Sequence, residues 1–278
     1  WAAGDATSRA VRLAMITMSG EMGYPGVLSA PVWGFEDVSF DGEKLSLPQP
    51  FETYVMENIL FKISFPAEFH AQTAVEAAVS LHPQVINRLD EIKEIVITTH
   101  ESAIRIISKE GDLNNPADRD HCIQYMTAIG LLKGDLIAED YEDDVAADPR
   151  IDSLREKMTI EEDKRYSKEY LEADKRSIAN SLQIYFADGS SSEKVEVEFP
   201  IGHRSRRDEG IPILLSKFEK NLSTHYDKNQ VKKIIDVCSD EEELHKTNVV
   251  DFIDLNKNEN RKKLFEHLRE EMKGDEKS

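Results

Sequence analysis

Three stretches of the chain gather side chains able to hold anions or move protons. The first is Phe61-Lys62-Ile63-Ser64-Phe65-Pro66-Ala67-Glu68-Phe69-His70, where Lys62 and His70 flank a stiff Phe-Pro entry to a helix of small residues. The N-terminus of a helix is already a positive pole, so two more cationic groups there are unfavourable unless an anion lies between them. The stretch reads as an anion site, or else as a solvated lysine and a histidine satisfied within the first turns. The second is Gly202-His203-Arg204-Ser205-Arg206-Arg207-Asp208-Glu209-Gly210. His203, Arg204, Arg206 and Arg207 fall within five residues, and the arginine fork suits carboxylates and phosphates. They form a clamp for a polyanionic ligand, or neutralise an acidic surface in ordinary ion pairs. The third runs from Asn115 to Tyr125 through Asp118, Arg119, Asp120, His121 and Cys122. Tyr125 lies one turn beyond His121 and is either a proton-transfer group or a core tyrosine.

These stretches need elements to place them. Asp5 to Ser19 has the spacing of a buried helix, with Ala10, Val11, Leu13, Ala14, Met15 and Met18 apolar and Gly20 beyond its end. Pro31 to Pro50 is punctuated by Gly34, Gly42 and Pro48 and reads as irregular connection. Ala71, Ala74, Val75, Ala78 and Val79 form a helical stripe whose small residues predict close packing. Ile92 to Thr99 is strand-like, and Leu182–Phe186 with Val195–Phe199 around Asp188-Gly189 predicts a hairpin. Helices are expected over 121–132 and from Asp148-Pro149 through Met158, with the acidic run 139–144 between them as solvated surface. Ile211, Leu214, Leu215, Phe218, Leu222 and Tyr226 predict a long helix with Pro212 in its first turn. Leu264, Leu268 and Met272 hold a weaker helical face in the charged tail. The order is helical, then mixed, then helical. It predicts an α+β protein in which a helical domain (1–50 and 203–278, the latter with the tail) is interrupted by a lid-like α+β domain (51–202).

With 278 residues, 35 Lys and Arg against 54 Asp and Glu, and a net charge of −19, the chain is a poor candidate for nucleic acid, which needs clustered excess cation. It is 40% hydrophobic, enough for a core, yet has no apolar run of about 18 residues that would predict a membrane span. No secretion signal is legible, and Cys122 and Cys238 fit a reducing compartment better than a disulfide framework. Two cysteines, no HExxH and no paired metal spacing, with His121-Cys122 only a dipeptide, predict no metal and no iron–sulfur cluster. The first residue is Trp1 and a helix cap follows at once, which reads as a chain cut from something longer.

The strings Phe61-Lys62-Ile63-Ser64-Phe65-Pro66-Ala67-Glu68-Phe69-His70-Ala71-Gln72-Thr73-Ala74-Val75-Glu76-Ala77-Ala78, Ala117-Asp118-Arg119-Asp120-His121-Cys122-Ile123-Gln124-Tyr125-Met126 and His203-Arg204-Ser205-Arg206-Arg207 together resemble the MmgE/PrpD family. Trp1 to Ala6 and Gly23-Tyr24-Pro25 match it as well. The resemblance covers nearly everything except the tail. It implies a cofactor-free lyase of propionate breakdown that removes water from 2-methylcitrate to give 2-methyl-cis-aconitate. It also implies a homodimer, in a bacterial cytoplasm or a fungal mitochondrial matrix, whose helical domain is completed by an N-terminal half that this chain lacks. Catalytic groups from that half would be missing. By resemblance Lys62 is an active-site lysine, His70 lies in the same element, Tyr125 matches an active-site tyrosine, and His203, Arg204, Arg206 and Arg207 serve the substrate's carboxylates. Arg119, in the charged loop before Tyr125, is expected to join them. Related activities of the family, cis-aconitate decarboxylation or citrate dehydration, and a non-catalytic fragment are the alternatives.

Overall fold

The computed structural model describes residues 2–47, 50 and 58–257. The chain separates into two compact units between Tyr54 and Val55. In the first, helix α1 (Ala2–Met18) forms where expected, and the chain turns out of it at Gly20 with φ 97°. None of its residues is buried: Val11 is 61% exposed and Met18 87%. Periodicity correctly gave the helix, but not a cover for its apolar face. The stretch expected to be irregular contains a short helix, α2 (Phe35–Ser39), with Phe35 and Phe40 in edge-to-face contact at 5.4 Å.

The second unit is mixed α+β. A four-stranded sheet has the order β2-β1-β3-β4, comprising β1 (Ile92–Thr99), β2 (Met158–Glu162), β3 (Asn180–Phe186) and β4 (Val195–Val197). β1 pairs parallel with β2 and antiparallel with β3, and β3 pairs antiparallel with β4, which is the expected hairpin. Helix α3 (Gln72–Val85) packs on the sheet and against the helix over 123–133. The small residues on α3 do what their size implies. Ala71, Ala74, Ala77 and Ala78 are fully buried, and a Cβ on Gly130 of the facing helix would lie 2.9 Å from Ala78 Cβ. Leu81, Met126 and Ile129 fill the same core, each worth about 1.5–3 kcal/mol relative to exposure.

Between β1 and β2 run α4 (Glu101–Ile107), α5 (Pro116–Arg119), α6 (Ile123–Lys133), α7 (Asp143–Ala146) and α8 (Pro149–Arg155). Asp148 caps α8 by accepting from the Arg150 N–H, as its position before proline suggests. The helix stops at Arg155, however, and Met158 begins β2 instead of extending it. The acidic run is not wholly solvated. Asp140 is 1% exposed because its carboxylate accepts from the Ile137 N–H and pairs with Lys133. After β2 comes α9 (Lys164–Leu171), and after the sheet α10 (Arg207–Ser223), α11 (Lys228–Ser239), α12 (Glu241–Lys246) and α13 (Val249–Leu255). α10 begins early enough that Pro212 falls in its second turn, and of its residues only Gly210 is fully buried. The helical face expected at Leu264, Leu268 and Met272 lies outside the described residues.

Candidate active site

One end of the sheet collects buried polar groups. β1 and β2 run parallel and finish there, while antiparallel β3 starts there, so His100, α9 and Asn180 converge. The Phe61–His70 segment arrives at the same place on the way into α3. Gln72, 4% exposed, pins it by donating from Nε2 to the Phe65 and Ala67 carbonyls, both at 2.8 Å. A 3-10 turn over Phe69–Ala71 follows, capped by Glu68. The Glu68 carboxylate accepts from the His70 backbone N–H at 2.8 Å and lies 2.8 and 2.9 Å from His70 Nδ1. Asn180 Nδ2 donates to the His70 carbonyl at 2.8 Å and to Thr73 Oγ1 at 2.7 Å.

These contacts fix the ring. With Nδ1 turned to a carboxylate, the proton sits on Nδ1 and the lone pair is left on Nε2, which lies 3.3 Å from the Tyr170 hydroxyl on α9. Burial raises the Glu68 pKa, but the hydrogen bonds from His70, and its charge when the ring is protonated, outweigh it and hold the carboxyl below its usual value; His121 adds a weaker pull. His100, the first residue beyond β1, is completely buried and stacks on Tyr170 at 4.6 Å and 14°. Its ring centroid is 5.1 Å from that of His70. Burial, and then His70 in its protonated form, push its pKa down to about 4, so it is neutral at physiological pH. Among the described residues neither of its ring nitrogens has a hydrogen-bond partner.

Lys62 is exposed and its ammonium lies 5.1 Å from the Phe69 ring centroid. The Lys217 ammonium from α10 donates to the Lys62 carbonyl at 2.6 Å, and burial followed by the Lys62 charge lowers its pKa. Among the described residues neither lysine has a carboxylate partner, although acidic groups far outnumber basic ones.

The other expected site residues have protein partners. His203, 4% exposed, stacks on Phe199 at 4.3 Å and caps the 3-10 turn over 204–206, with burial and then Arg204 lowering its pKa. Arg204 donates to Asn58 Oδ1 and to the Asp174 carbonyl. Arg206 forks onto Glu76 at 2.8 and 3.0 Å, and also reaches Glu209 and the Phe199 carbonyl. Arg207 lies over the Phe61 ring at 4.4 Å and donates to the Ile59 carbonyl. Arg119 is buried against the Tyr141 carbonyl and Asp143. Tyr125 is 2% exposed and donates to the Asp140 carbonyl at 2.6 Å; burial pushes its pKa up to about 12.

Thus the fold brings His70 into this cluster, leaves Lys62 over Phe69 beside Lys217, and ties Arg204, Arg206 and Arg207 to the backbone or side chains that flank them. Glu68, His100, Tyr170 and Lys217 were not foreseen. Glu68 had a signal, an acid two residues before a histidine at a helix entry; His100 and Tyr170 meet only through the parallel β1–β2 pairing. Among the described residues no three His, Cys, Asp or Glu side chains are placed to hold a metal ion, and no helix is long and apolar enough to cross a membrane. A cavity of about 670 Å³ beside α4, α8 and β2 shares no residue with this cluster, and its Lys109 and Arg155 are offset by Asp112, Asp152 and Glu156.

Comparison with known proteins agrees with the quoted motifs. The chain is 55% identical over 258 residues to 2-methylcitrate dehydratase of Escherichia coli (strain K12), covering 92% of this chain and 53% of that protein. It is 52% identical over 259 residues to the mitochondrial 2-methylcitrate dehydratase of Yarrowia lipolytica, covering 92% and 49%. To the 2-methylcitrate dehydratase-like protein oryR of Aspergillus oryzae it is 41% identical over 262 residues, covering 92% and 52%. The chain spans about half the length of the curated relatives it matches. Residues 65–241 match the MmgE/PrpD C-terminal domain, and the chain therefore belongs to the MmgE/PrpD family.

Proposed function

We propose that this chain supplies part of the active site of a hydro-lyase that removes water from 2-methylcitrate. Two observations carry this reading: the Glu68–His70 pair, a base with a fixed lone pair, and, earlier in the same segment, Lys62 with Lys217 beside it, two cations without a carboxylate partner among the described residues. Taking a proton from carbon beside a carboxylate builds negative charge on that carboxylate. Nearby cations lower the barrier by offsetting it. In this reading Lys62 and Lys217 hold substrate carboxylates, His70 Nε2 is where the proton arrives, and Glu68 stabilises the imidazolium that results. His203, Arg204, Arg206, Arg207 and Arg119 take part by setting the backbone around Lys62 and the α6 entry, and Tyr125 by anchoring α6 to the acidic loop. The names of the relatives support 2-methylcitrate over citrate or cis-aconitate as substrate. We further infer that the enzyme needs no metal or organic cofactor, acts as a homodimer in a bacterial cytoplasm or mitochondrial matrix, and carries the sheet-bearing unit as an insertion in a larger helical domain.

The test is ultraviolet detection of the conjugated product, with chelator present, from 2-methylcitrate, citrate and cis-aconitate. It is run on this chain and on a version extended to the length of the relatives. Turnover of 2-methylcitrate by the extended enzyme, falling about 100-fold or more in Lys62→Ala and less steeply in Lys217→Ala, is the expected result. No turnover of any of the three acids, or full activity in Lys62→Ala, overturns the reading.

A further inference from the structure

A water elimination needs a proton taken from carbon and a proton given to the departing oxygen, and His70 is the group so far assigned to move either. We propose that Tyr170 is the catalytic phenol of this site, relaying protons between substrate and the Glu68–His70 pair, and that His100 is the residue that positions it. The proposal rests on the elimination reading above.

Four observations support it. The Tyr170 hydroxyl lies 3.3 Å from His70 Nε2, the nitrogen that Glu68 leaves unprotonated, so the phenol donates into that lone pair. Tyr170 is half-buried, whereas Tyr125 is buried and commits its hydroxyl to the Asp140 carbonyl. The inner face of the Tyr170 ring lies on His100, stacked at 14°, which sets the plane in which the phenol points. Finally, His100 is fully buried with both nitrogens unpartnered among the described residues, an arrangement that costs free energy and gives no hydrogen bond in return.

The proton transfers balance. As the phenol passes its proton to His70 Nε2, its oxygen takes the proton from the substrate carbon; the C–H electron pair becomes the double bond and the neighbouring C–O bond breaks. The departing hydroxide takes the phenol's proton and leaves as water. His70 then returns its Nε2 proton to the phenolate oxygen, and the site is restored. The groups facing His70 through this cycle are Glu68, His100 and Tyr170, with His121 acting on Glu68 from further away.

The test combines kinetics on the enzyme extended to the length of its relatives with long-range proton–nitrogen spectra of its histidine rings. Tyr170→Phe is expected to lower kcat by about 100-fold or more while KM stays within about threefold. It should shift the His70 Nε2 signal and leave Nδ1 protonated. His100→Ala is expected to lower kcat about tenfold or more, and His100→Phe, which keeps a stacking face, to recover most of that loss. A Tyr170→Phe enzyme that melts like wild type and keeps its kcat, or whose Nε2 signal does not move, overturns the proposal. So does a His100→Phe enzyme as impaired as His100→Ala. If the unsubstituted enzyme releases no conjugated product, the elimination reading fails and the chemistry proposed for Tyr170 fails with it; the Nε2 signal then decides the hydrogen bond alone.

Discussion

Gly202 is the position where the smallest change should do the most. Its φ is ordinary, so an alanine is conformationally acceptable there; what is lacking is space. A Cβ would lie 1.7 Å from the Phe61 carbonyl oxygen and 2.6 Å from its carbon. An unstrained carbon–oxygen approach is about 3.3 Å, so one backbone must retreat by roughly 1.6 Å. The Phe61 N–H donates to the Gly202 carbonyl at 3.0 Å, and that bond cannot survive such a shift. Losing it costs about 1 kcal/mol and the overpacking about 1–3 kcal/mol, so Gly202→Ala should destabilise the unit by roughly 2–4 kcal/mol. For a unit of this size that lowers Tm by about 5–15 °C, read by circular dichroism melting. Lys62 is the next residue along, so the displacement also moves its ammonium, and the extended enzyme should lose about 10- to 100-fold in kcat/KM. A Tm within about 2 °C of wild type would refute the steric argument. A lowered Tm with unchanged kcat/KM would refute the link from Gly202 to Lys62.

Two further perturbations probe the same region. Because His70 holds the Glu68 pKa below its unfolded value, this carboxylate stabilises the fold above about pH 4.3, and the contribution is lost as pH falls through the lower folded value. Urea denaturation of Glu68→Gln should therefore show lower stability near neutrality and a shallower loss on acidification; parallel curves for the two proteins would contradict the pairing. Arg206→Lys keeps the charge but loses the fork onto Glu76 and Glu209, which raise the Arg206 pKa in that order of Glu209, then Glu76. A loss of about 1–3 kcal/mol in chemical denaturation is expected, and a lysine variant as stable as wild type would show the fork to be incidental.

Local rules read much of this molecule. The bounds of β1, the β3–β4 hairpin, the Asp148 cap and the small-residue face of α3 all follow from spacing and turn chemistry, because each depends on neighbours a few residues away. Met158 shows where that stops. Its spacing from Leu154 suits a helix, yet pairing with Ile95 draws it into a strand, and no local signal encodes a partner 63 positions earlier in the numbering. The site divides in the same way. Lys62 and His70 stand out because their segment is short and unusual, whereas His100 and Tyr170 are an unremarkable histidine and tyrosine until the parallel β1–β2 pair brings their elements together. The cluster 203–207 stood out by charge, but charge does not tell which carboxylates are near, and Glu76 comes from the middle of α3.

The strand order also sets a sequence of events for the chain as it is made. β3 and β4 are joined by residues 187–194 and can pair as soon as both exist, at modest loop-closure cost. β1 emerges long before either neighbour and must wait through residues 100–157 for β2, and longer still for β3. During that interval both of its edges are without the strands that finally pair with them, the condition under which strands pair wrongly with other chains. Yield from cells should thus fall most sharply with changes that slow the pairing of β2 and β3 with β1, even where the finished fold tolerates them.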